Sequence, residues 1–101
     1  MKQIVITGAK GLIGWHTYAR LHAANCAAMF AGKVPPFRVI GLDHSAFEDD
    51  AKLQMALKNA DFLLHFAGVN RGPDDVVQTA NLAIASRLVE ACKGVGNTPH
   101  I

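Results

Sequence analysis

Three glycines stand at positions 8, 11 and 14, directly after an apolar run, Ile4-Val5-Ile6, that ends at Thr7. That order is a strand, a glycine turn and the start of a helix, and it has a chemical use. Gly8 can turn tightly out of the strand, Gly11 lets a bulky anion approach the backbone, and Gly14 lets the helix pack closely on the sheet. The free N–H groups and the positive dipole end of the helix then face the anion. A GxxGxxG pattern alone is weak, but here it opens a β-α-β unit, the context in which it marks dinucleotide binding. No Gly-Lys-Ser/Thr follows at the spacing a nucleoside-triphosphate loop requires. Lys10 and Arg71 flank the phosphate side, where each is either a neutralising cation or a solvated surface charge.

Two further places belong to the same edge. Asp43 closes a second strand where an adenosine ribose would lie, and a carboxylate there accepts ribose hydroxyls and repels a 2′-phosphate. It stands further from the glycines than the usual spacing of about twenty residues, an excess supplied by a long first helix and the Pro35-Pro36 loop. The alternative is an ordinary strand-end aspartate. His44 beside it tolerates a phosphate, so the two residues point in different directions, with the balance toward NAD. Ala67-Gly68 ends a third strand at the same edge, where ligands of open α/β sheets lie. Asn81 is a polar residue on an apolar helical stripe, and a buried amide needs partners. A tie to a neighbouring loop is a simpler role for it than a ligand contact. The five histidines include no pair at i, i+4, which argues against a metal site.

The elements that position these residues follow from periodicity. Trp15 to Phe30 contains no proline or glycine and reads as a helix ending near Gly32, with Ile13, Thr17, Leu21, Ala24 and Ala28 on one face. Phe37 to Leu42 is a second strand. A capping box of Ser45 and Glu48, or a cap at Asp49, starts a second helix with Leu53, Ala56, Leu57 and Ala60 as its buried stripe, closed by Asp61. Phe62 to Phe66 is a third strand, apolar on both faces apart from His65. A loop over residues 67–72 leads to Pro73 in the first turn of a third helix, with Asp74 and Asp75 at its positive end. Val77, Asn81, Ile84, Leu88 and Cys92 form its buried stripe up to Gly94, and Ile101 starts a further strand. Right-handed crossovers make this an α/β half of a doubly wound fold, β-α-β-α-β-α, with a parallel three-stranded sheet in the order 2-1-3.

Composition agrees with one small domain over residues 1–101. Half of the 101 residues are apolar, which excludes a disordered class, and a net charge of +2 gives no reason to expect nucleic acid or an acidic membrane surface. The apolar run at the N-terminus is too short for a signal peptide or a membrane span. Cys26 and Cys92 have no metal-type spacing and read as reduced thiols packed as small hydrophobes, which suits a cytoplasmic protein.

Thr7-Gly8-Ala9-Lys10-Gly11-Leu12-Ile13-Gly14 resembles the cofactor turn of the extended short-chain dehydrogenase/reductases, the NAD-dependent epimerase/dehydratase group. Asp61 to Arg71, with the short segment from Asp43 to Asp61, is similar to the branch that holds the capsular-polysaccharide sugar-nucleotide reductases. The resemblance covers nearly the whole chain. It implies an NAD(P)-dependent oxidoreductase or epimerase acting on a nucleotide-activated sugar. By motif, Gly8, Gly11, Leu12 and Ile13 meet the pyrophosphate, Asp43 and His44 the adenosine ribose, and Ala67 and Gly68 line the cofactor groove. Asn81 matches the helix asparagine of the extended members. The extra strand that many relatives carry before the Leu-Leu-His-Phe strand is missing. The family's serine and its Tyr-x-x-x-Lys pair follow the next strand, and the sequence given stops where that strand begins. Tyr18, followed by His22, does not replace them. The expectation is a cofactor-binding portion that is not catalytic alone. The alternatives are a non-catalytic NAD(P)-binding or oligomerisation module and a folded remnant that binds nothing. An exposed edge from Phe62 to Phe66 further predicts a homo-oligomer.

Overall fold

The structure, a computed structural model, describes residues 1–68 and 71–101. Strand β1 (Lys2–Thr7) leads into helix α1 (Leu12–Phe30), strand β2 (Phe37–Leu42) and a 3-10 turn over His44–Glu48. Helix α2 (Asp50–Leu57), strand β3 (Phe62–His65) and helix α3 (Asp74–Val95) complete the order. The three strands are parallel in the order β2-β1-β3, as the sequence predicts. β1 is therefore central, paired from Lys2↔Phe37 to Thr7↔Leu42 on one side and from Ile4↔Phe62 to Thr7↔His65 on the other. Its buried run Ile4-Val5-Ile6-Thr7 is the consequence.

The two crossovers leave β1 and β2 in opposite directions, so right-handedness sends α1 and α2 to opposite faces of the sheet. One face carries the main core, where Val5, Leu42 and Leu63 meet Phe47, Leu53, Leu57 and Leu88. The expected α2 stripe is buried throughout, and Ala60 belongs to it although the helix ends at Leu57. Asp49 caps α2 through the Lys52 N–H, whereas Ser45 forms no capping box with Glu48 and turns to Asp43 instead. In α3, Leu88 and Ala91 are buried and Val77, Asn81, Ile84 and Cys92 are half-buried. The helix runs through Gly94 and stops at Gly96, which takes the left-handed conformation at φ 67°.

The other face differs from expectation. Ile4 and Ile6 alternate onto it beneath α1, yet among the residues of α1 only Gly14 is fully buried. Of its predicted stripe, Thr17, Leu21 and Ala28 are half-buried, while Ala24 and Ile13 are exposed. Trp15 and Phe30 are exposed as well. The physical reason is that α1 stands alone on its side of the sheet among the described residues and has no second helix to pack against. Cys26 lies on this helix and is exposed, not packed as a small hydrophobe; Cys92 is half-buried, and burial pushes its thiol up.

Polar ties fix β3 against β1. The Asp61 carboxylate accepts the Gln3 N–H at 2.8 Å, and the Asp61 N–H donates to the Gln3 carbonyl at 2.9 Å. Asn97, which periodicity does not single out, donates to the Leu57 and Ala60 carbonyls and holds the chain end under α2. β3 is shorter than expected, since Phe66 leaves the ladder. Its outer edge is not wholly bare: the Leu63 N–H donates to the His100 carbonyl at 2.8 Å, and Phe62↔His100 is a parallel bridge. The chain end therefore meets β3 through a single isolated bridge at His100, and Ile101, expected to start a further strand, lies outside the ladder.

The burial pattern makes a direct stability prediction. Leu57→Ala should lower unfolding free energy by about 2–5 kcal/mol, whereas Leu82→Ala on the exposed face of α3 should change it by less than about 0.5 kcal/mol. Urea denaturation followed by far-UV circular dichroism measures both.

Candidate cofactor site

The carboxyl ends of the three strands converge on the glycine turn. Gly8 has φ +68°, a left-handed conformation, and a Cβ on it would stand 2.8 Å from the Ala67 nitrogen. A Cβ on Gly14 would stand 2.0 Å from the Gly8 carbonyl oxygen, so α1 rests directly on the turn. Gly11 is the N-terminal cap of α1, its N–H donating to the Gly8 carbonyl at 3.0 Å and its carbonyl accepting the Trp15 N–H at 2.8 Å. Added bulk there meets only the Gly8 oxygen, at 3.3 Å, and otherwise faces open space. No side chain caps α1 and no acidic residue lies in its first turn, whereas Asp49 caps α2 and Asp74 and Asp75 start α3. The first-turn donors of α1 and its positive dipole end are thus open to an anion. Leu12 and Ile13 are exposed there.

Thr7 locks this turn to the end of β3. Its buried hydroxyl accepts the Phe66 and Ala67 N–H groups, each at 3.1 Å, and lies 2.7 Å from His65 Nδ1. With both lone pairs used, the hydroxyl proton goes to Nδ1, which makes His65 a neutral acceptor. Burial lowers the His65 pKa in agreement with that state. Thr7 and His65 are register partners, so each stands at the last paired position of its strand. The loop that begins at Ala67 continues past Gly68, where a Cβ would lie 3.2 Å from Asn81 Oδ1. Asn81 therefore sits against the loop, as the simpler of its two roles requires. Val69 and Asn70 of that loop lie outside the described residues, and Arg71 is exposed.

Asp43 ends β2 on the other side of the turn. Its Oδ1 accepts the Ser45 N–H at 3.0 Å and the Ser45 hydroxyl, and its Oδ2 meets Lys10 Nζ at 3.0 Å. The Ser45 hydroxyl, then Lys10 and the Ser45 N–H, hold the Asp43 carboxyl well below the usual carboxylate range. His44 is exposed at the start of the 3-10 turn. The predicted positions Gly8 to Gly14, Asp43 and Ala67-Gly68 thus share one edge, joined by the Lys10 ion pair and the Gly8–Ala67 contact. Sequence reasoning missed Thr7, His65 and Ser45 as the residues that hold this edge together. The signal for the first two was a polar residue at the end of an otherwise apolar strand. An apolar groove of about 620 Å³ lies at the flank of β3 and α3, lined by Leu63, His65, Leu88, Val89, Cys92 and Ile101. Among the described residues no group of three His, Cys, Asp or Glu comes together to hold a metal, and no helix is long and apolar enough to cross a membrane.

Residues 4–98 match the model of the NAD dependent epimerase/dehydratase family. No curated protein matches the sequence. Among solved structures, the chain is similar to a mutant of uronate dehydrogenase from Agrobacterium tumefaciens complexed with NAD, at 21% identity and a TM-score of 0.59, covering 95% of this chain and 38% of that one. A Rossmann-fold NAD(P)-binding family protein from Shigella flexneri matches at 20% identity and a TM-score of 0.57, over 99% of this chain and 50% of that one. These two likenesses are of fold. A structure of CapF with the inhibitor 3-isopropenyl-tropolone shares 29% identity at a TM-score of 0.50, over 96% of this chain and 28% of that one. The chain thus spans half or less of the length of each of these structures.

Removing the Thr7 hydroxyl tests the lock. Thr7→Val leaves the Ala67 N–H without its acceptor and should cost about 1–3 kcal/mol of stability, while Thr7→Ser should retain most of it; denaturant titration reads both. The depressed His65 pKa carries a definite sign. Between the unfolded value of about 6.5 and the lower folded value, the unfolded chain binds more protons, so the His65 contribution is complete above about pH 6.5 and is lost as pH falls below it. Thermal melts across that range should show this loss, and His65→Gln should flatten it.

Proposed function

The chain belongs to the NAD-dependent epimerase/dehydratase family, and from that premise we propose that it is the cofactor-binding portion of an NAD(P)-dependent oxidoreductase or epimerase acting on a nucleotide-activated sugar. The observation that carries this reading is the open N-terminus of α1 seated on left-handed Gly8. Backbone groups point there, no side chain of α1 fills the space, and the carboxyl ends of all three strands meet around it. A pyrophosphate fits that chemistry, because its charge is met by N–H donors and a helix dipole.

In this reading Gly8, Gly11, Leu12 and Ile13 hold the pyrophosphate, with Gly14 setting the approach of the helix. Asp43 and His44 face the adenosine ribose, and Ala67 and Gly68 form the opposite wall of the groove. The bound dinucleotide supplies hydride transfer; these residues bind and orient it. The proton transfer that accompanies such chemistry needs an acid/base pair. Tyr18 is the single tyrosine of the sequence, and its ring stacks on His22 within α1, with centroids 6.4 Å apart. It also packs over Gly41 of β2. That placement suits packing and leaves the acid/base pair to be supplied from outside these 101 residues. The resemblance of Asp61 to Arg71 to the sugar-nucleotide reductases supports the substrate class.

Calorimetric titration with NADH tests the proposal. The chain should show saturable binding, and Gly11→Val should abolish it with the fold retained by circular dichroism, because a Cβ at Gly11 meets only the Gly8 carbonyl oxygen, at 3.3 Å, and otherwise faces open space. Binding that survives Gly11→Val, or a folded wild-type chain that binds no nucleotide, would overturn it.

A further inference from the structure

We propose that His22 Nε2 and Cys26 Sγ, 3.5 Å apart and exposed on α1, form a two-donor site for a thiophilic divalent metal of the zinc class. The site stands apart from the cofactor reading and does not rest on it. His22 lies about 15 Å along the helix from Leu12. His22 and Cys26 are one helical turn apart, the i, i+4 spacing that puts two side chains on one face. Metal-binding helices use that spacing for a pair of ligands. A count of histidines alone passes over it, because the second donor is a thiol.

The separation of the two donors fits the coordination. A Zn–S bond of about 2.3 Å and a Zn–N bond of about 2.0–2.1 Å, at a tetrahedral angle, set the donors about 3.5–3.6 Å apart. One ion therefore takes the place of the proton between sulfur and nitrogen with the backbone unmoved, and the thiol proton passes to solvent. The imidazole is already held. The Tyr18 ring stacks on it with 15° between the planes and centroids 6.4 Å apart, and Tyr18 in turn packs over Gly41 of β2. A ligating ring is oriented by such neighbours. Donor type selects the metal. Residues 12–30 contain no Asp or Glu, so Mg²⁺ or Ca²⁺ finds no oxygen donors on this helix, while nitrogen and sulfur suit Zn²⁺ and Co²⁺. Among the described residues no third His, Cys, Asp or Glu joins the pair, so water completes the coordination. The sequence holds one other thiol, Cys92, half-buried on α3.

Titration of the reduced full chain with Co²⁺, a coloured stand-in for Zn²⁺, reads the site through the thiolate-to-metal charge-transfer band in the near ultraviolet. Wild type and Cys92→Ser should both show a saturable band, and added Zn²⁺ should displace it. Cys26→Ser should lose the band, and His22→Gln should weaken Co²⁺ binding by about tenfold or more. His22 and Cys26 are exposed on one helix and Cys92→Ser keeps the side chain's shape, so circular dichroism should show every variant folded. No band in the reduced wild type, a band that survives Cys26→Ser, a band that Zn²⁺ leaves in place, or a His22→Gln affinity equal to that of wild type would each overturn the inference.

Discussion

Three stretches of backbone meet at the glycine turn with no room for a side chain between them. The Gly8 carbonyl touches the face of α1 at Gly14, and Gly8 itself touches the Phe66–Ala67 peptide at the end of β3. This closeness decides what the rest of the structure does. It sets the height of α1 above the sheet, it brings the third strand's loop beside the first strand's, and it leaves the helix end bare at the place where the strands stop. A Cβ at Gly14 would demand a movement of the helix, and one at Gly8 a movement of β3. The two glycines are structural for that reason, whereas a Cβ at Gly11 would meet only the Gly8 carbonyl oxygen, at 3.3 Å.

Polar chemistry around the turn works at two levels. Inside, the Thr7 hydroxyl satisfies two N–H groups of the strand-end loop and is oriented by His65, a fully used hydroxyl in a buried place. Outside, Lys10 and Asp43 join the glycine turn to the end of β2 through an ion pair that solvent reaches. The inner network holds geometry and the outer pair can exchange.

Much of this was legible from residue types. Ile4-Val5-Ile6 before three glycines, the alternation of strands and helices, and the Leu53-Ala56-Leu57-Ala60 stripe lead to the observed elements and strand order. They do so because burial and turn chemistry act locally there. What was not legible depends on neighbours distant in sequence. Ile13, Thr17, Leu21, Ala24 and Ala28 of α1 read as a buried stripe, yet among the described residues no second helix covers that face, so Ile13 and Ala24 are exposed. Ser45 has the spacing of a capping box with Glu48, but Asp43 two residues earlier takes its hydroxyl and its N–H. Asn97 and the left-handed Gly96 shape the chain end through contacts with α2 and the close of α3, which no periodicity announces. At the site, glycine spacing located the turn, while the ties that hold it, Thr7 to His65 and Lys10 to Asp43, span strands and become visible only in register.

The central claim is that the bare end of α1 and the facing strand-end loop form a dinucleotide groove. Its most direct test is a two-dimensional amide spectrum of the isotopically labelled chain during addition of NADH. The account predicts saturable shifts concentrated at Gly8, Gly11, Leu12, Ile13, Ala67 and Gly68, at the carboxyl edge of the sheet. Shifts concentrated instead along the apolar groove, at Leu88, Val89 and Cys92, would contradict it.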